Sequence, residues 1–201
     1  MKKEKKDILN TYNNSARQLA KYFAGIGPRT EDIEKTFDLI KRQNPCVLEI
    51  GCGDGRDAQE ILKMTDCYDG FDISKEMIKL AKQKNILGNF FVADVEKYNF
   101  KKQYDIIFSF ASLLHSDKEQ MQKILIRYAK ALKKDGVFFI FLKMKDKYLK
   151  DVKEDEFGRR AFYFYTPEMI GDLAKKHYET IFIEKRRKGK TDWFSILLRK
   201  K

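Results

Sequence analysis

Cys46-Val47-Leu48-Glu49-Ile50-Gly51-Cys52-Gly53-Asp54-Gly55-Arg56 is an apolar run of strand length that stops in glycines at alternate positions. Such a run reads as a buried strand entering a tight turn, because glycine lets the backbone take positive φ and pass close to a ligand. Ala58, Ile61 and Leu62 follow at helical spacing, so the turn joins a strand to a helix. In an open α/β sheet, ligands bind beyond the carboxyl ends of the strands, which is where this turn falls. A dinucleotide fingerprint, G-x-G-x-x-G counted from Gly51, would need glycine where Arg56 stands. Glu49, two residues before the first glycine, adds a carboxylate. Like charges in a pocket repel, so the turn suits a ligand bearing an ammonium group better than one bearing phosphates.

Strands and helices alternate outward from this turn. Tyr68-Asp69-Gly70-Phe71-Asp72 ends a second strand, and Ser74 caps a helix carrying Met77, Ile78 and Ala81. Residues 89–94 and 104–110 are a third and a fourth strand. Asp117 and Gln120 have the spacing of a capping box at the head of a long helix, and Asp135-Gly136 turns the chain into a fifth strand, residues 137–142. The pattern predicts an α/β fold: a doubly wound, Rossmann-like, mostly parallel sheet with helices on both faces. Upstream, residues 7–24 have helical spacing, Gly25-Ile26-Gly27-Pro28 breaks the chain, and a second helix runs from the cap Thr30 to about residue 42. Downstream, residues 143–160 are polar and charged and read as a loop. Thr166-Pro167-Glu168 starts a helix, and Glu179–Glu184 with Asp192–Arg199 predicts an antiparallel hairpin at the sheet edge. The expected organisation is one domain over residues 1–201. Its N-terminal helices (1–44) are a candidate lid, 45–142 a ligand-binding core, and 143–201 a pocket cover with the edge hairpin.

Composition narrows the function classes. The chain has 201 residues, 43% of them hydrophobic, enough for one sizeable core. Its longest apolar run, Val137–Leu142, falls far short of the ~20 residues that span a bilayer, and no apolar stretch follows the basic start, so neither a membrane segment nor a secretory signal is expected. The cysteines, Cys46, Cys52 and Cys67, are odd in number and lack a CxxC pair. That predicts reduced structural thiols in a cytoplasmic protein, with no metal. The net charge of +12 concentrates at Lys2-Lys3-Glu4-Lys5-Lys6 and Lys185–Lys190. Elsewhere lysines such as Lys79, Lys82 and Lys84 scatter along helices, as on solvated faces, so a nucleic-acid partner is the less favoured reading.

Two more acids close successive strands: Asp72, where a carboxylate accepts hydrogen bonds from ribose hydroxyls, and Asp94, within reach of a base amino group. Together with these acids, Val47–Arg56 resembles motif I of the class I S-adenosylmethionine-dependent methyltransferases. Gly70-Phe71-Asp72-Ile73-Ser74 resembles their second motif, Ala93-Asp94-Val95 their third, and Leu132-Lys133-Lys134-Asp135-Gly136-Val137 their L-K-P-G-G turn. Ala111–His115, Leu142-Lys143, Gly158–Arg160, Tyr163–Glu168 and Asp192-Trp193 narrow the likeness to small single-domain bacterial members.

The resemblance implies that Glu49 with Gly51, Cys52, Gly53 and Gly55 holds the methionine part of S-adenosylmethionine. Asp72 would take the ribose, Asp94 with Val95 the adenine, Ile73 would pack on that base, and Ser109, Phe110 and Ala111 would floor the methyl group. It implies methyl transfer by in-line displacement to an oxygen or nitrogen of a small molecule, with S-adenosylhomocysteine as product and no metal. His115, just past the fourth strand, is the candidate base, whereas His177 reads as a surface residue. Lys143, Arg159, Tyr163, Tyr165 and Trp193 are candidates for the acceptor pocket, and Tyr12 and Tyr22 for a lid over it. The alternative is a methyltransferase acting on RNA or protein. However, Ser109-Phe110-Ala111-Ser112 lacks the Asn/Asp-Pro-Pro-aromatic motif of enzymes that methylate exocyclic base nitrogens. Monomer and homodimer both fit, since an edge strand is closed by either a hairpin or a partner.

Overall fold

A computed structural model describes residues 3–84 and 86–201, so Lys2 of the basic start lies outside the described residues. In chain order the elements are α1 (Lys3–Asn14), α2 (Ala16–Ile26), α3 (Thr30–Ile40), β1 (Val47–Ile50), α4 (Ala58–Ile61), β2 (Tyr68–Asp72), α5 (Lys75–Gln83), β3 (Asn89–Val92) and β4 (Tyr104–Phe110). A 3-10 turn (Leu113–His115) follows, then α6 (Lys118–Ala131), β5 (Leu132–Met144), β6 (Leu149–Asp155), β7 (Gly158–Phe164), α7 (Pro167–Ala174), β8 (Tyr178–Lys188) and β9 (Thr191–Lys200). Seven strands form one sheet in the order β3-β2-β1-β4-β5-β9-β8, and β6-β7 is a separate pair. The first five of the seven run parallel, and β9 is antiparallel to both β5 and β8. This is the doubly wound, mostly parallel sheet with the edge hairpin expected from the sequence.

Strand β5 shows why these residues build a sheet covered on both sides. Val137, Phe139 and Phe141 pack on one face with Ile33, Phe37, Ala58, Ile61 and Ile78. Phe138, Ile140 and Leu142 pack on the other with Met121, Ile124, Leu125, Tyr128 and Ile170. Side chains alternate along a strand, so only an unbroken apolar run serves two cores. Each fully buried side chain of this size contributes about 1.5–3 kcal/mol. From β1 the chain winds to β2 and β3 on one side, then crosses to β4 on the other. A crevice therefore opens between the carboxyl ends of β1 and β4, where ligands of such sheets lie.

Four local features differ from expectation. Residues 7–24 are two helices, kinked at Ser15 (φ −109°), whose hydroxyl donates to the Phe157 carbonyl (2.7 Å). Thr30 is the first residue of α3 rather than its cap; Arg29 holds the cap position without a side-chain capping bond. The expected loop at 143–160 is largely the β6-β7 hairpin. Its charged residues sit on a pair of strands outside the main sheet, so they give no apolar alternation to read. The caps at Ser74, Asp117 and Thr166 form as expected, with the full capping box at Asp117–Gln120.

The fourth difference is covalent. Cys46 and Cys67, expected as free thiols, are joined in a disulfide, and Cys52 is free and buried. The parallel register that pairs Val47 with Tyr68 places the preceding residues, 46 and 67, side by side with Cα atoms 4.6 Å apart, within disulfide reach. Strand register is invisible to cysteine counting, and the bond removes the ground on which reduced thiols pointed to a cytoplasm. Alkylation of the denatured, unreduced protein is expected to label Cys52 alone, and reduction to release Cys46 and Cys67. Full labelling before reduction would contradict the bond. No helix among the described residues is long and apolar enough to cross a membrane.

Candidate active site

The glycine turn after β1 is fixed from behind by the adjacent strand: the amides of Gly51 and Cys52 both donate to the Phe71 carbonyl at the end of β2 (2.8 and 3.0 Å). Gly51, Gly53 and Gly55 all have positive φ. Asp72 ties the turn to α5, its Oδ2 accepting from the Gly53 amide (3.1 Å) and its Oδ1 from the Ser74 amide (2.8 Å). A carboxylate has about four acceptor sites, so these bonds leave capacity for a ligand. Burial lifts the Asp72 carboxyl to about 6, against the lowering effect of these amides.

These groups edge a cavity of about 680 Å³ over the carboxyl ends of the parallel strands. Gly51, Cys52, Gly53, Asp72, Ile73, Asp94, Val95 and Phe110 line it, as do His115, Tyr12, Tyr22, Lys143 and Trp193. The remaining expected residues do not line it. Glu49 is buried behind the turn, where its Oε2 accepts from the Tyr68 hydroxyl (2.6 Å); burial, reinforced by Asp57, pushes its carboxyl well up. Gly55 packs its bare α-carbon beside Ile86, Ala81 and Phe90. Ser109 points into the core, its hydroxyl without a partner among the described residues. Strand alternation explains two of the other three: in β7, Arg160 and Phe162 face the cavity while Arg159 and Tyr163 face away. Arg159 pairs with Asp7, Tyr163 donates to Glu4 (2.6 Å), and Tyr165 donates to the Ser116 carbonyl (2.6 Å).

The roof is α1 and α2 together with the β6-β7 hairpin. Thr11 donates to the Arg159 carbonyl (3.0 Å), Ser74 Oγ lies 2.8 Å from Asn13 Oδ1, and Lys5 Nζ sits 2.7 Å from Asp94 Oδ1 and also pairs with Glu96. Under this roof Tyr12 Oη is 3.1 Å from His115 Nε2. His115 Nδ1 lies 2.6 Å from the Ala161 carbonyl, so Nδ1 carries the proton and Nε2 accepts from the tyrosine. Burial drives the imidazole down to about 4, helped by Arg160 and Lys143, and drives the Tyr12 phenol up to about 12. Both are neutral near pH 7.

Arg29 has no warning in the sequence. It follows a Gly-Pro break, yet its guanidinium enters the cavity wall 4.5 Å above the Phe141 ring, with Nε and Nη1 buried and unpartnered among the described residues. Such donors are suited to an anionic group of a ligand. Arg56, by contrast, is tied to Asp57, which also accepts from the Arg29 amide (2.9 Å). The cavity thus offers, in sequence around the turn, an unsatisfied guanidinium, an open glycine at 53, a carboxylate at 72 and a carboxylate at 94.

Residues 47–136 match the family described as a methyltransferase domain. Malonyl-(acyl-carrier protein) O-methyltransferase 1 of Ilyobacter polytropus is 35% identical over 123 residues, 58% of this chain and 45% of that protein. The chain spans less than half the length of the first curated relatives it matches. The ubiquinone/menaquinone biosynthesis C-methyltransferase of Campylobacter jejuni is 28% identical over 195 residues, covering 85% of this chain and 82% of that protein. Among solved structures, the 1,6-didemethyltoxoflavin-N1-methyltransferase of Burkholderia thailandensis superposes with a TM-score of 0.77 at 17% identity, over 96% of this chain and 87% of that one, a likeness of fold.

Proposed function

We propose, from the premise that the chain belongs to the class I S-adenosylmethionine-dependent methyltransferases, that it transfers a methyl group from S-adenosylmethionine to a small-molecule acceptor. One observation carries the cofactor assignment: Arg29 presents buried, unpartnered donors in the cavity whose glycine turn is held by Asp72. That array fits an amino acid carboxylate at one end and ribose hydroxyls at the other. Gly51, Cys52 and Gly53 would bring backbone close to the methionine part, Asp72 would accept from the ribose, and Asp94, Ile73 and Val95 would hold the adenine. Glu49, behind the turn, acts through its negative field when ionised rather than by contact. Phe110 and Ala111 would floor the reacting end.

When bound, the cofactor supplies a sulfonium methyl: the acceptor's lone pair forms the new bond to carbon as the carbon–sulfur pair returns to sulfur, leaving S-adenosylhomocysteine. The chain's own work is alignment and exclusion of water by the roof of α1, α2 and β6-β7. The Tyr12–His115 pair is placed to take the acceptor's proton at His115 Nε2, Tyr12 yielding its hydrogen bond to the acceptor. A base depressed to about 4 suits an acidic acceptor proton better than a protonated amine.

A small acceptor is favoured over RNA by the way the basic hairpin is neutralised: Arg186 pairs with Asp32 and Glu184, and Arg187 with Asp192. We read the chain as one domain acting without a metal, in a cytoplasm where its cofactor is available. Calorimetry with S-adenosylhomocysteine is expected to give one site per chain with a dissociation constant on the order of micromolar, about −8 kcal/mol. ATP and NADH should give no heat. Saturation of the cleft by either nucleotide, with none by S-adenosylhomocysteine, would overturn the assignment.

A further inference from the structure

Lys143 is a cavity cation held among rings and other cations. It lies near the carboxyl end of β5, directly opposite Trp193 on β9, and its Nζ stands 4.1 Å from the centre of the Phe162 ring and 5.6 Å from that of Trp193. No carboxylate forms an ion pair with it among the described residues. Its other neighbours make it worse off: Lys153 and Arg160 line the same wall. Burial first, then these two cations, lowers its amine to about 8, against a weaker opposite pull from Asp151 and Asp155. Asp155 is already bound by Arg160, whose Nε is itself buried without a partner. A half-buried ammonium among cations is costly unless something negative joins it. Rings, meanwhile, flank the spot: Phe162 on the roof, and Trp193 stacked flat on Phe141 (4.8 Å, 2°).

We propose that Lys143, aided by Arg160, is an anion subsite for the acceptor, and that the acceptor is an aromatic acid whose ring lies against Phe162 and Trp193 and whose carboxylate meets the Lys143 ammonium. The inference rests on the methyl-transfer reading only for calling that ligand the acceptor. Arg29 lies over different rings, Phe110 and Phe141, and is assigned to the cofactor's carboxylate, which leaves Lys143 for the acceptor's. The carboxylate held by Lys143 is a handle, and the methylated atom is a different one, facing Tyr12 and His115.

The test uses the whole protein saturated with S-adenosylhomocysteine. It is titrated with matched pairs of aromatic acids and their amides: 4-hydroxybenzoate and 4-hydroxybenzamide, 3,4-dihydroxybenzoate and its amide, anthranilate and its amide. At least one acid is expected to bind tenfold or more tightly than its amide. In K143M that preference is expected to vanish while S-adenosylhomocysteine affinity stays within about twofold of the parent, and K143R is expected to recover most of it. If K143M does not fold, K143Q is read in the same way. The proposal is overturned if no acid is preferred to its amide, or if the preference survives loss of the amine, in protein that binds S-adenosylhomocysteine normally. Failure of that nucleoside itself to bind would overturn the methyl-transfer reading instead.

Discussion

Replacing Gly51 by alanine is expected to lower the melting temperature by roughly 10 °C, taking ~3 kcal/mol at about 2–4 °C per kcal/mol for a chain of this length, and to weaken S-adenosylhomocysteine binding on the order of 100-fold. Two effects add. The residue has φ +69°, which costs a non-glycine about 1–2 kcal/mol. A Cβ there would also stand 2.1 Å from Ser112 Oγ and 2.4 Å from Ser112 Cβ. A hydroxyl can rotate away, but a Cβ cannot, so the backbone after β4 must shift, at a further cost of about 1–3 kcal/mol. That shift reaches the 3-10 turn that carries His115. Gly53 is the control. Its φ is +55° and a Cβ there would meet nothing within 4 Å, so G53A should lose only the ~1–2 kcal/mol of the left-handed backbone, without the Ser112 clash, yet it narrows the cleft lining and should still weaken nucleoside binding. Thermal melts and calorimetry on both variants check this. Equal melting temperatures for G51A and G53A would show that Ser112 does not lock the turn.

The contrast between those glycines shows what could be read ahead of the structure. The strand–turn–helix around Gly51 was legible because strand length, glycine spacing and the acid at position 72 all pointed to one geometry. The five parallel strands followed from apolar runs, since a strand covered on both faces must be apolar throughout. The walls of the cavity were less legible. Arg159 and Arg160 are adjacent in the chain, and only knowing that 158–164 is a strand says which faces inward. With 143–160 read as a loop and no strand expected at 161–164, Arg159 and Tyr163 are as eligible as Arg160 and Phe162. Arg29 carries no local signal at all, because its role is set by where α2 and α3 pack. The Cys46–Cys67 bond depends on register between β1 and β2, which pairing rules for cysteines do not contain. In each case the missing term was tertiary.

Asp72 should make cofactor affinity and bare-protein stability respond to pH in opposite directions. Its carboxyl is raised by burial from 3.8 to about 6, so between those values the folded protein holds a proton that the unfolded chain has released. Stability from this group is therefore present below about pH 4 and is lost as pH rises toward 6. Ribose hydroxyls need the ionised form as acceptor, so affinity should be near its plateau at pH 7 and about tenfold weaker at pH 5, each pH unit being 1.36 kcal/mol. The melting-temperature gain from S-adenosylhomocysteine should consequently grow from pH 5 to 7. D72N removes the titration and sets a donor amide against the Gly53 or Ser74 N–H that the carboxylate now accepts. Losing charge-assisted hydrogen bonds worth about 1.5–3 kcal/mol predicts binding weaker by roughly 10- to 150-fold at pH 7, with Asp72's share of the slope between pH 5 and 7 gone. Glu49, also raised by burial, remains in that variant, so the part of the parent's slope that D72N removes is the part Asp72 supplies. Calorimetry at three pH values decides the matter: a D72N protein that binds as tightly as the parent, or keeps the parent's slope from pH 5 to 7, would remove Asp72 from the cofactor site.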